Sequence, residues 1–251
     1  MNKPECFVEF MIGHVLFGLR GNYKDDQDVQ VAEYIDQAMD CIDKGFFQGA
    51  IQHLEGALEV CEREDVYNVM GIVYFFMGEN EKSFECFDKA LDDPTYWEAY
   101  YNVALWFHRS QMNERALEIF DEIIEVGKDL RGGILEGAYN NKACMLVEED
   151  RYEEAIELLN SVLLLNNKRV ESLVNLGNIY YKQNKLQEAK KYYEKALLVN
   201  SKCPSAYIGL GVVAFENGEL EKARNLFDKS LSISNLSVVA KKNKQLLGEY
   251  N

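Results

Sequence analysis

The chain repeats itself. The segment NLGNIYYKQNKLQEAKKYYEKAL from Asn175 aligns with GLGVVAFENGELEKARNLFDKSL from Gly209 at an offset of 34 residues. A period of that length confines the chain to tandem supersecondary units, because one such unit cannot bury its apolar face alone and must stack on its neighbours. The register runs back along the chain: Gly211, Gly177, Ala143, Ala104, Gly71 and Ala38 stand at steps of 34, 34, 39, 33 and 33 residues. Twelve residues after each comes a second small residue, namely Ala223, Ala189, Ala155, Ala116, Ser83 and Ala50. Only 44 of the 251 residues are Gly, Ala or Ser, so the double column reflects packing rather than composition.

With 3 Pro in the whole chain and abundant Leu, Ala, Glu and Lys, the units are expected to be helical. A small residue lets two helix axes approach toward the low end of about 8–10 Å. One small column per helix therefore predicts an antiparallel helix pair per unit. Five residues before each second small residue stand Gly45, Gly78, Gln111, Asp150, Asn184 and Gly218, mostly types that favour a turn or a helix start. Asp150 with Glu153 and Asn184 with Gln187 fit capping boxes. Tyr34, Tyr67, Tyr100, Tyr139, Leu173 and Tyr207 are expected to open the first helices on the core side. Leu54, Phe87, Phe120, Leu159, Tyr193 and Phe227 are expected to fill the second ones.

These residues resemble the tetratricopeptide repeat, whose pattern runs aromatic, Leu-Gly, Tyr, Ala, Phe and Ala, with Pro near the end. Leu176-Gly177, Tyr180, Ala189, Tyr193 and Ala196 form the best copy, and Gly71, Tyr74, Phe87 and Ala90 give another. The resemblance covers residues 31–237 in six copies, at 31–63, 64–96, 97–135, 136–169, 170–203 and 204–237. The first copy departs most, with Gln37 in place of Leu and Cys41 in place of Tyr. The third is the longest, accommodating GKDLRGG (Gly127 to Gly133), a joint in the array. The resemblance implies an all-α, right-handed superhelix, an α-solenoid of antiparallel helix pairs. Residues 238–251 form its capping helix, with Lys241, Lys242 and Lys244 in water and Val239 and Leu246 inward. Residues 1–30 are an N-terminal segment placed to cap the other end, with Tyr23 to Gln30 a linker or a helix start.

In this family the first helices line a concave groove that holds protein or peptide, so the resemblance implies a non-enzymatic adaptor or scaffold. Its groove positions fall on Asn102, Asn141 and Asn175 in one column, on Asn68, Tyr101 and Asn140 in a neighbouring one, and on Asn178 in a third. Phe75, Phe76 and Tyr181 lie further along the same face. A carboxamide carries both a donor and acceptors, which suits the backbone of an extended peptide. On that basis the triple change Asn102→Ala, Asn141→Ala, Asn175→Ala should weaken binding and leave the melting curve near wild type. Some family members clamp acidic chaperone tails through Lys, Asn, Asn, Lys and Arg. Here Val174 stands where a basic residue is needed and Gly209 takes the next Asn position. Tyr101 takes a Lys place and Leu105 an Asn place, which argues against that role.

The charge is lopsided. Residues 31–135 hold 22 acidic and 8 basic side chains, while residues 136–251 hold 15 and 16, within a net charge of −15. That excess argues against nucleic acid, whose phosphates call for Lys and Arg. It favours a basic or extended protein segment as partner. Self-assembly through the ends or the groove, giving a homo-oligomer, is the alternative. No nucleophile elbow, phosphate loop, dinucleotide fingerprint or H-E-x-x-H occurs, so neither catalysis nor a cofactor is expected. The 6 Cys and 3 His are scattered without metal-ligand spacing, and the cysteines suit small buried hydrophobes in a reducing, cytoplasmic setting. The apolar run Phe10 to Leu19 is too short to insert through a bilayer, which takes about 20 residues. Glu5 and Glu9 stand where a signal peptide carries positive charge.

Overall fold

The computed structural model describes residues 26–127, 130, 133–234 and 238–248. These residues form helices and turns, without a strand among them. The helices are α1 (Asp26–Asp43), α2 (Phe47–Val60), α3 (Glu64–Met77), α4 (Asn80–Ala90), α5 (Trp97–Arg109), α6 (Asn113–Val126) and α7 (Ile134–Glu148). They continue with α8 (Tyr152–Leu165), α9 (Val170–Lys182), α10 (Leu186–Val199), α11 (Pro204–Glu216), α12 (Leu220–Ile233) and α13 (Val238–Gly248). Two compact units divide inside α7, after Ala138. Within each, successive helices pair through tight turns. Residues 26–30, expected as a linker or helix start, open α1. The proposed N-terminal cap before residue 26 and most of the Gly127–Gly133 joint lie outside the described residues.

All six tight turns are built the same way. Gly45, Gly78, Gln111, Asp150, Asn184 and Gly218 each adopt a left-handed backbone, at φ 72°, 79°, 64°, 59°, 59° and 78°. In the second turn, Gly78 N–H donates to the Phe75 carbonyl at 3.0 Å and Glu79 N–H to the Tyr74 carbonyl at 2.9 Å. The same two bonds recur in the other five, as in Asn184 to Tyr181 at 2.9 Å and Lys185 to Tyr180 at 2.8 Å. This is a Schellman ending, which satisfies the last carbonyls of the first helix and needs φ > 0 at one residue. The expected capping boxes do not form: Arg151 and Lys185 are the N-caps of α8 and α10, and neither makes a side-chain cap bond. Asp150 and Asn184 end the helix before rather than start the helix after. Outside glycine the left-handed conformation costs roughly 1–2 kcal/mol. Gln111→Gly should therefore raise stability by up to about 1 kcal/mol, less what glycine loses in unfolded-chain entropy. Urea titration of the variant checks it, and a midpoint at or below wild type would contradict it.

The small columns clear space for a ring. A Cβ on Gly71 would lie 2.7 Å from the Phe87 ring, one on Gly177 2.5 Å from Tyr193, and one on Gly211 2.5 Å from Phe227. In each case the ring comes from the second helix, sixteen residues on. Where the first column is Ala, the matching residue is Leu54 or Leu159, with Ala104 and Phe120 the exception. Every residue of the second small column is fully buried, and Ser83 Oγ donates to the Gly71 carbonyl at 2.7 Å. The tyrosines that open the first helices are not core. Tyr34, Tyr67, Tyr100, Tyr139 and Tyr207 are half-buried, and only Leu173 of that column is buried. A phenol can stay at the boundary with its ring covered and its hydroxyl wet. Lys89 Nζ lies 4.5 Å from the centre of the Tyr67 ring and Lys229 Nζ 5.6 Å from that of Tyr207.

The ends are tied down by polar groups. In the first unit the Arg63 guanidinium bonds Asp28 of α1 at 2.6 Å and Asp65 of α3 at 2.7 Å, joining the first turns of two successive first helices. In α13, Lys241, Lys242 and Lys244 are exposed as expected, and Lys244 pairs with Asp228. Its buried residues are Ala240 and Asn243, Val239 is half-buried, and the Leu246 side chain lies outside the described set.

Candidate functional site

The asparagine columns lead inward. Asn68 sits on the side of α3 that meets α5, and Asn102 of α5 stands 34 residues on, in the neighbouring column. Asn102 Nδ2 donates to Asn68 Oδ1 at 3.1 Å, and Asn68 Nδ2 donates to Tyr96 Oη at 3.1 Å. Asn68 and Asn102 are both fully buried. Burial lifts the Tyr96 hydroxyl well above its ordinary pKa, with neighbouring Asp65 adding to the rise. Tyr101 is also inside, its ring edge-on to Phe120 with centroids 6.0 Å apart, and a Cβ on Gly137 would touch that ring.

The second unit repeats the device with different partners. Asn175 Nδ2 of α9 donates to Asn140 Oδ1 of α7 at 3.1 Å and reaches Cys144 Sγ at 3.4 Å, while Ser172 Oγ donates to Asn140 Oδ1 at 3.3 Å. Asn178 Oδ1 accepts from Tyr193 Oη at 2.8 Å, so this amide orients the ring that fills the space beside Gly177. Asn141 is buried too.

Seven of the ten expected groove residues (Asn68, Tyr101, Asn102, Asn140, Asn141, Asn175 and Asn178) are thus buried, and are not surface contacts. The physical reason is that amides in adjacent columns of successive repeats reach one another, and most buried polar groups are held by such a partner. The Asn102, Asn141, Asn175 triple change should accordingly lower stability, against the unchanged melting curve expected above. Phe75 and Tyr181 are half-buried and Phe76 is exposed. Phe76 stacks on Phe47 with centroids 5.9 Å apart, and the Arg109 guanidinium lies over Phe75 at 5.7 Å. Tyr181 Oη donates to Glu216 at 3.0 Å, and burial followed by that bond pushes its pKa up to about 12.

Two surface features escaped the groove-centred expectation. In the first unit, exposed Phe46, Phe76, Phe84 and Met112 lie at the ends where first helices turn into second ones. In the second unit, exposed leucines mark the opposite ends of the second helices. Among the cysteines, Cys86, Cys144 and Cys203 are buried as expected, whereas Cys41 is half-buried and Cys61 exposed. Burial pushes the Cys86 thiol up to about 11. Among the described residues no cluster of His, Cys, Asp or Glu is arranged to hold a metal, and no helix is long and apolar enough to cross a membrane.

A tandem array of helix pairs, with Schellman turns, small-residue columns and aromatic fillers at one register, defines an all-α helical repeat protein. Models of the tetratricopeptide repeat match residues 64–92, 135–202 and 174–237, together more than half of the chain. The chain belongs to the tetratricopeptide repeat family. It is 35% identical over 66 residues to a TPR repeat-containing protein of Methanocaldococcus jannaschii, a match covering 26% of this chain and 20% of that one. Its fold resembles a tetratricopeptide repeat protein from Parabacteroides merdae (TM-score 0.71, 19% identity, 93% of this chain and 90% of that one). It also resembles pilF of Pseudomonas aeruginosa (TM-score 0.69, 16% identity, 90% of this chain and 100% of that one).

Proposed function

We propose that this protein is a non-enzymatic adaptor that holds a basic, extended segment of a partner protein against its N-terminal repeats. The observation that carries the proposal is the concentration of charge: 22 acidic against 8 basic side chains in residues 31–135. Many of those carboxylates are exposed, among them Glu59, Asp92 and Glu125 near the ends of the second helices. An acidic surface with aromatic side chains suits Lys and Arg twice over, through charge and through the faces of rings. Arg109 lying over Phe75 is an internal example of the second contact. Phe75 and Phe76 in this unit, with Tyr181 in the other, are the contacts of the original groove set that remain available to a ligand.

Steering by exposed charge acts over roughly 8 Å at physiological salt and changes association rate more than dissociation rate. With the full chain immobilised and a Lys/Arg-rich peptide in solution, the on-rate should fall severalfold as salt rises from about 0.05 M to about 0.5 M, with the off-rate little changed. An acidic peptide of equal length, free of leucine and other large apolar residues, should show no measurable association. An on-rate indifferent to salt, or equal for both peptides, would overturn the proposal.

A further inference from the structure

The same register position carries opposite chemistry in the two units. Two residues after the buried side chain that closes each of the first five second helices (Ala57, Ala90, Ile123, Val162 and Ala196) stand Glu59, Asp92, Glu125, Leu164 and Leu198 in turn, and Ser232 holds the place in the sixth. All five second residues are exposed. The fold therefore accepts a carboxylate at this place in three repeats, and nothing in the packing asks for leucine in the next two. Yet Leu164 is 89% exposed and Leu198 87%, and their sequence neighbours Leu165 and Val199 are exposed as well. A single exposed leucine needs no explanation, but a row of them on successive repeats marks a surface that is covered in use.

We propose that the edge formed by the last turns of α8 and α10 binds an acidic, leucine-bearing segment of a partner protein. This goes beyond the basic-segment reading, since it concerns a different unit and a ligand of opposite charge. Behind Leu198 a cleft of about 470 Å³ opens, lined by Leu163, Asn167, Leu173, Lys195, Leu198 and Val199. Its size falls within the range of about 300–1,000 Å³ usual for ligand sites. A recess with apolar walls takes an inserted side chain, which favours a protein segment over a flat lipid surface. Charge selects the kind of segment. Lys168, Lys195 and Lys202 are exposed around the leucines and form no ion pair among the described residues. The nearby carboxylates are engaged, Glu171 by Arg169 at 3.3 Å and Glu194 by Lys190 at 3.8 Å. The edge is thus an apolar centre with a cationic rim, complementary to leucines set among Asp and Glu.

The test compares the full chain with Leu164→Glu/Leu198→Glu, which gives these repeats the residue type already found at Glu59 and Glu125. A random peptide display library is selected on the wild-type chain and counter-selected on the variant. The expected pool is net acidic and rich in Leu or other large apolar residues. Its members should bind the variant at least about tenfold more weakly, a difference of about 1.4 kcal/mol. They should also weaken against Lys168→Glu/Lys195→Glu, while all three proteins show the same circular-dichroism melt. A pool that is basic or neutral, or no pool that distinguishes the variant, overturns the proposal. So does wild-type sedimentation with phosphatidylserine vesicles that the variant loses, since a membrane is then the occupant. Light scattering that finds a wild-type dimer and a monomeric variant overturns it as well, because a second copy then covers the edge.

Discussion

Gly177→Leu should be among the most damaging single substitutions in the chain. Tyr193 is held from two sides: a Cβ on Gly177 would lie 2.5 Å from its ring and one on Gly209 2.4 Å. Its hydroxyl is fixed by Asn178 at 2.8 Å, and the side chain is fully buried. The ring therefore has nowhere to move, and a bulky residue at 177 must separate α9 from α10. Overpacking typically costs about 1–3 kcal/mol, and Leu at this place belongs at or above the upper end. Gly177→Ala, adding one carbon inside the contact distance, should cost less but remain clearly destabilising. The chain supplies its own compensation, since Ala38 faces Leu54 and Ala143 faces Leu159 at the same two positions. Gly177→Ala combined with Tyr193→Leu should be less harmful than the sum of the two single changes, by about 1 kcal/mol or more, as contacting residues couple. Hydrogen exchange of α9 and α10 reads this directly. Strict additivity would show that the ring and the glycine are not the coupled pair.

The register was legible because it depends on what a side chain cannot be. Ala38, Gly71, Ala104, Ala143, Gly177 and Gly211 have to be small, and smallness at fixed spacing is visible in one chain. What each small residue makes room for was not visible, since that depends on which ring turns toward it. The turn column was legible as a turn, but Asp150 and Asn184 suggested caps because their side chains commonly serve as such. Only backbone angle distinguishes a left-handed C-terminal residue from an N-cap. The asparagines misled for a physical reason. Polarity suggests surface unless a second amide stands opposite, and the partners here are 34 or 35 residues apart in sequence. The leucine edge was in principle legible: aligning Glu59, Asp92 and Glu125 with Leu164 and Leu198 exposes the switch, once attention leaves the small columns.

Removing one amide from the first unit should be costlier than removing two. Asn68 accepts from Asn102 Nδ2 and donates to Tyr96 Oη, both at 3.1 Å, and neither amide of the pair can turn to water. Asn68→Leu keeps the volume but leaves the Asn102 donor without its acceptor and the Tyr96 oxygen without its donor. A buried polar group stripped of its partner costs about 1–3 kcal/mol, so the single change should destabilise by about 2–5 kcal/mol. Asn102 Oδ1 already lacks a hydrogen-bond partner within the fold, which leaves that side chain little else to fall back on. Asn68→Leu/Asn102→Leu removes donor and acceptor together and replaces both by apolar groups of similar size. It should therefore recover part of the loss, leaving chiefly the unpaired Tyr96 hydroxyl, and Tyr96→Phe on that background should recover more. A double-mutant cycle by urea unfolding measures the coupling. If Asn68→Leu alone is neutral, or if the second leucine adds its full separate cost, the amide pair is not what holds α3 against α5, and the apolar contacts between these helices carry the interface instead.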